Sequence, residues 1–152
     1  MENIVTVSIG LGLVVSMLFS ELLGIAAGGM VVPGYIALYL DKPQSIIYTI
    51  LISYITYFIV NSLSSIIIIY GRRRTLMMIL VGFFLGWFVR MTGSIPFGKE
   101  TIDLTIVGYI IPGLIAIWMD RQGILQTITS LVTSSIIVRL ILILTFGKEL
   151  SI

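Results

Sequence analysis

Hydrophobic positions in this chain run on in blocks rather than alternating with polar ones. Six stretches carry no charged residue: 3–20, 22–40, 46–70, 75–89, 104–119 and 122–138. A membrane-crossing helix needs roughly 20 mostly apolar residues, with about 17 as the practical minimum. The pattern therefore predicts four long helices, over about 4–23, 44–70, 76–91 and 124–146. Asp41 and Pro43 suit the start of the second, and Gly71 with Arg72-Arg73-Arg74 marks its end. The stretches 26–40 and 105–119 span 15 residues each and are interrupted near their middles. The first is preceded by Gly24-Ile25-Ala26-Ala27-Gly28-Gly29, too glycine-rich to hold a strong helix.

Those two interrupted stretches contain a repeat. GMVVPGYIALYLDK at 29–42 matches GYIIPGLIAIWMDR at 108–121 at six of fourteen positions, including Pro33/Pro112, Gly34/Gly113 and Asp41/Asp120. Most other positions are like for like, so the chain reads as one membrane domain of two tandem halves, about 1–71 and 75–147. A Pro-Gly pair inside a membrane segment is tolerated only where the freed backbone groups face protein or a water-filled cavity. Two topologies fit: the broken segments re-enter from one side, or they cross as discontinuous helices and make the halves inverted. Their shortness favours the re-entrant form. The fold class is thus an all-α polytopic membrane protein with four long transmembrane helices and two Pro-Gly-broken segments.

Composition agrees with this reading and narrows the chemistry. Of 152 residues, 58% are hydrophobic and 11% charged, and the mean hydropathy is +1.15. The chain has no cysteine and no histidine, so thiol chemistry and the commonest general base are excluded, and no metal site is expected. No catalytic residue is nominated. The acidic start Met-Glu-Asn argues against a cleaved signal peptide.

Candidate path residues follow from cost in lipid. Pro33 and Pro112 are expected to start short helices, through Leu40 and Met119, whose bare N-terminal amides beside Gly34 and Gly113 would attract anions. Glu21, Arg90 and Arg139 are ionisable groups near or within apolar runs, with Arg90 and Arg139 the obvious partners of Glu21 or stations for an acidic substrate. Arg139 also reads as a snorkelling side chain. Asp41 and Asp120 close the short helices, and their plainer reading is an interfacial cap beside Lys42 or Arg121. Arg72, Arg73 and Arg74 read as a cytoplasmic topology signal with general attraction to anionic lipid, or as a docking site for an acidic partner. Polar stripes at Thr49, Ser53, Thr56 or Tyr57, Asn61 and Ser64, and at Thr127, Ser130, Ser134 and Ser135, read as bonds between helices; Gly10, Gly12, Gly82 and Gly86 suit close helix contact.

The ordered set of Glu21-Leu22-Leu23-Gly24, the 27–37 stretch AGGMVVPGYIA, Tyr70-Gly71-Arg72-Arg73-Arg74, the 111–116 stretch IPGLIA and Asp120-Arg121-Gln122-Gly123 resembles the CapC/PgsC family of poly-γ-glutamate capsule biosynthesis membrane subunits. The likeness covers essentially the whole chain. It implies a multi-pass subunit of the bacterial plasma membrane, not catalytic by itself. Its implied partners are membrane lipid, a Mur-ligase-like cytoplasmic amide ligase, an anchored extracellular-facing accessory subunit and poly-γ-glutamate, with no nucleic acid. No cofactor is expected in this chain: it has no phosphate-binding glycine loop, so ATP and Mg belong to the ligase. Such a product is a polyanion, and the two short-helix N-termini backed by Arg90 and Arg139 offer the matching charge, so the two repeats are expected to cradle the growing chain as it leaves the ligase and pass it across the membrane. A stand-alone small-solute transporter and a passive anchor for the ligase remain as alternatives.

Overall fold

The computed structural model describes residues 2–92, 95–97, 100–102 and 109–147, with side chains over 4–92 and 109–147. The described residues form six helices: α1 (Glu2–Leu23), α2 (Val32–Leu38), α3 (Pro43–Ile66), α4 (Arg72–Met91), α5 (Ile111–Gln122) and α6 (Ile124–Phe146). Four of them, α1, α3, α4 and α6, are long and apolar enough to cross a membrane. Large apolar side chains such as Leu22, Ile66, Ile68, Leu125 and Leu144 stay mostly exposed. In water that surface would be prohibitive, and in lipid it is the expected outside of the molecule. The chain is a membrane protein.

Element ends follow local chemistry. Pro33, Pro43 and Pro112 each sit in the first turn of their helix, where no amide is needed. The expected second helix stops short of Tyr70, because Ile67 turns extended at the start of an isoleucine run whose branched side chains favour that geometry. Gly71 (φ 60) then reverses the chain, so α4 begins at Arg72 and the three arginines form its first turn rather than a loop. Gly123 (φ 99, ψ 157) alone separates α5 from α6, in a region of backbone space open to glycine. The polar interval expected as a loop contains a short antiparallel ladder, β1 (Ile95–Phe97) on β2 (Glu100–Ile102), with Pro96 opposite Thr101. Gly108 of the repeat lies outside the described residues.

The path of the short segments differs from the favoured re-entrant form. Ser16 Oγ donates to the Gly29 carbonyl at 3.3 Å and Ser8 Oγ to the Gly34 carbonyl at 2.7 Å. The chain beyond Gly24 therefore climbs back along α1 and delivers Asp41 to the end where α1 began. In the other half, Gly113 packs against Gly82 midway along α4, and Asp120 reaches Arg74 in the first turn of α4. So α5 runs antiparallel to α4 toward the end of the bundle that carries Arg72-Arg73-Arg74, the arginine end, which also holds the ends of α1 and α3. The two short helices point in opposite directions. Helices α1, α2 and α6 pack together, as do α3, α4 and α5, and α5 against α6 joins the two groups.

Most of the expected interhelical hydroxyl bonds turn inward on their own helix. Thr49, Ser53 and Thr56 donate to the carbonyls of Ser45, Thr49 and Ile52, and Ser134 and Ser135 to that of Leu131. This back-bonding satisfies the hydroxyls and leaves small side chains at fully buried positions, so helices can approach closely. Among the four glycines, Gly12 and Gly82 make the tight contacts, Gly86 touches Tyr109 only loosely, and nothing lies within 4 Å of a Cβ at Gly10.

Candidate functional site

The first candidates were the starts of α2 and α5. Both lack a side-chain cap, as expected, and both are closed by protein. A Cβ built on Gly12 would stand 2.6 Å from the Gly34 amide nitrogen, and one on Gly82 would stand 2.6 Å from that of Gly113. Val32, Pro33 and Gly34 are buried, as are Ile111, Pro112 and Gly113. The glycines thus admit a neighbouring helix backbone in place of the anion expected from the sequence.

Between the two starts lies an apolar cavity of about 370 Å³ lined by Val31, Val32, Tyr35, Ile110, Ile111 and Phe83, among others. Below it Val32, Ile36, Ile111, Ile115, Met119 and Leu131 form one buried cluster. The seam between α2 and α5 is therefore greasy, at the cavity and in the buried cluster alike, an environment in which a carboxylate would be strongly disfavoured.

The charged candidates gather at the other ends of these helices. Asp41 takes both oxygens to Arg139 Nη2, at 2.6 and 2.7 Å, and Arg139 Nη1 also donates to the Ala37 carbonyl at 3.3 Å. Arg139 is 13% exposed in its side chain and Asp41 49%. Asp120 accepts from Arg74 Nε at 2.8 Å, and Arg74 donates further to Ser64 and Asn61. Neither aspartate is the simple interfacial cap of the sequence reading: each is held by an arginine from another helix. Arg139 serves the C-terminal pole of α2, where a cation is favourable, and does not back the N-terminal one. Its expected pairing with Glu21 does not form. Glu21 is exposed at the arginine end beside a small cavity lined also by Ser16, Ser20 and Trp118. Arg90 lies over the Tyr109 ring at 4.9 Å.

The arginine end holds the most polar concavity of those described, about 390 Å³ in volume. Gly71, Arg72, Arg74, Thr75 and the Asp120-Arg121 pair line its rim, with Met78 and Ile117 contributing apolar wall. Arg74 is consumed by Asp120, whereas Arg72 and Arg121 have exposed side chains and no ion pair among the described residues. Arg121 lies 5.5 Å from the Trp118 ring centre. Arg73 is exposed and does not line the cavity.

Gln122 is the residue that sequence reasoning missed. Its amide accepts from the Ala26 N–H at 3.0 Å and donates to the Ala26 carbonyl at 2.6 Å; Ser130 Oγ donates to the same carbonyl at 3.0 Å. This clamp pairs the non-helical backbone between α1 and α2, which has no helical ladder of its own. Its only sequence signal was an amide side chain directly after the repeated Asp-basic pair. Leucine at 122 would leave the Ala26 N–H unpaired and its carbonyl with Ser130 alone, at a cost of about 1–3 kcal/mol. Gln122→Leu is expected to lower the melting temperature in detergent by several degrees, and an unchanged value would remove the clamp from the account.

Two inverted short helices seated on glycines, four lipid-length helices and ion pairs at both ends define a small polytopic helical membrane protein with no catalytic constellation among the described residues. The family model described as capsule biosynthesis CapC matches residues 11–128. The chain belongs to that family. It is 38% identical over 122 residues to the PGA biosynthesis protein CapC of Bacillus subtilis, covering 79% of this chain and 80% of that one. It is 37% identical over 124 residues to the capsule biosynthesis protein CapC of Bacillus anthracis, covering 80% and 82%. No solved structure matches.

Proposed function

We propose that this chain is the integral membrane subunit of a bacterial poly-γ-glutamate synthase and export complex in the plasma membrane. The observation that carries the reading is the 38% identity, over four-fifths of both chains, to a relative named for PGA biosynthesis. In this reading the amide bonds are made by a Mur-ligase-like cytoplasmic subunit that binds ATP and Mg, and an anchored extracellular-facing subunit completes the assembly. The arginine end faces the cytoplasm, by the preference of arginine-rich helix ends for that side. The two halves are inverted copies of one unit; the matched seating of Gly34 on Gly12 and of Gly113 on Gly82 supports the duplication. The subunit supports the ligase and passes the polyanionic product outward.

The apolar α2–α5 seam constrains the second role. For the polymer to pass, the buried cluster of Ile36, Ile115 and Met119 must part, or a partner must complete the path, while support of the ligase requires neither. Replacing both Pro-Gly pairs by alanine is a poor test, because alanine at Gly34 meets the Ser8 carbonyl at 2.6 Å and disrupts packing first. The experiment is deletion of this chain combined with affinity purification of a tagged copy from native membranes in mild detergent. The expected result is loss of surface poly-γ-glutamate and near-stoichiometric recovery of the ligase. Intact polymer output, with the chain recovered alone, would overturn the reading and favour a self-sufficient carrier.

A further inference from the structure

We propose that the cavity at the arginine end is a binding site for the phosphate of an anionic phospholipid, held between Arg72 and Arg121. The inference is independent of the polymer reading and rests on four features of that end. The first is charge: the rim carries Arg72, Arg74 and Arg121 against Asp120, and since Asp120 is committed to Arg74, two cations are left for a ligand. The second is the backbone. The cavity opens at Gly71 and Arg72, where the 20-residue α4 begins without a side-chain cap, so its first amides and its dipole add to the attraction for an oxyanion.

The third feature decides what kind of anion fits. Met78 and Ile117 supply an apolar wall, and the residues flanking the lining along the chain are apolar and open: Tyr70, next to Gly71, is 75% exposed and Leu76, next to Thr75, 65%. A free carboxylate or phosphate gains nothing from such a surround, whereas a lipid places its phosphate on the arginines and its acyl chains along these side chains. The fourth is position. The cavity lies at the ends of α3, α4 and α5, the level at which headgroups meet a helical bundle, and Arg121 is flanked by Trp118 in the manner of interfacial aromatic anchors. Volume agrees, since about 390 Å³ holds a phosphoglycerol headgroup with room for the start of its chains.

Arg73 provides the internal control. It has the same charge and sits on the same helical turn, yet it does not line the cavity. Diffuse attraction of a basic patch to an anionic surface would treat Arg72 and Arg73 alike; a site would not. The experiment is native mass spectrometry of the purified full chain in detergent with phosphatidylglycerol or phosphatidylcholine added. The expected result is one phosphatidylglycerol retained and no phosphatidylcholine, retention at least tenfold lower in the R72Q/R121Q double variant, and R73Q within twofold of the parent. Excess inorganic phosphate should not displace the lipid. Each altered side chain is exposed, and should the double variant fail to fold, R121Q alone is expected to show about a threefold loss. Equal retention of the two lipids, an R73Q loss as large as that of R72Q/R121Q, displacement by inorganic phosphate, or Arg121-dependent binding of a γ-linked glutamate oligomer with no lipid retained would each overturn the proposal.

Discussion

Gly12→Ala and Gly82→Ala are expected to be among the most damaging single substitutions in the chain, although alanine is the better helix former by about 1 kcal/mol. At Gly12 the added methyl would stand 2.6 Å from the Gly34 amide nitrogen and 2.7 Å from its Cα; at Gly82 the distances to Gly113 are the same. Neither obstacle is a side chain that can swing aside, so the short helix must move as a body. Overpacking of this kind costs about 1–3 kcal/mol and occasionally more. Movement here also drags the buried cluster built on Val32, Ile36, Ile111 and Ile115, so the upper part of that range is expected. Gly10→Ala is the control. It lies on the same helix, has nothing within 4 Å of a new Cβ, and should be neutral or slightly stabilising. Thermal unfolding in detergent of the three variants decides the matter. Equal melting temperatures for the Gly10 and Gly12 variants would show that α2 does not seat on α1 as described.

The contrast between Gly10 and Gly12 also shows where sequence reasoning reaches its limit. Both glycines were candidates for close contact, but positions two apart on a helix point about 200° away from one another, so only one can face α2. Which one does depends on the rotation of α1, a property of the packed bundle that local sequence does not carry. The same boundary recurs elsewhere. The four long helices were legible because membrane-length hydrophobicity is a one-dimensional signal, and Pro33 and Pro112 announced the starts of the short helices through the missing amide. Their role was not legible: Pro-Gly in lipid demands shielded backbone, and either a ligand or a neighbouring helix could supply the shield. The neighbouring helix does so. The ion pairs were hidden for a related reason, since Arg74 and Asp120 lie 46 residues apart and Arg139 and Asp41 lie 98 apart. The matching sequence around the two aspartates did not help, because Asp120 draws its arginine from α4 and Asp41 from α6.

Those pairs carry the second large expectation. Asp120→Asn should destabilise the protein more than the loss of a surface salt bridge would, because it strands a guanidinium that is itself only 23% exposed. Breaking a fully buried pair costs about 3–5 kcal/mol, and the partial exposure of both groups brings the expected loss here to about 2 kcal/mol. Asn61 and Ser64 remain as neutral partners of Arg74 and keep the loss from being larger. Removing the cation as well should recover most of it, so Arg74→Met with Asp120→Leu is expected to be nearer the parent than Asp120→Asn alone. That rescue separates an unpaired charge from a lost contact, since a lost contact would leave the double variant no better than the single. At the other end Asp41→Asn should cost less, because Asp41 is 49% exposed and Arg139 keeps its bond to the Ala37 carbonyl. Chemical or thermal unfolding of these three variants beside the parent in one detergent gives the ranking. If Asp120→Asn and Asp41→Asn prove equally mild and the paired substitution restores nothing, the arginines are solvated at the bundle ends, and the account of α2 and α5 as helices anchored by charge from a neighbouring helix fails.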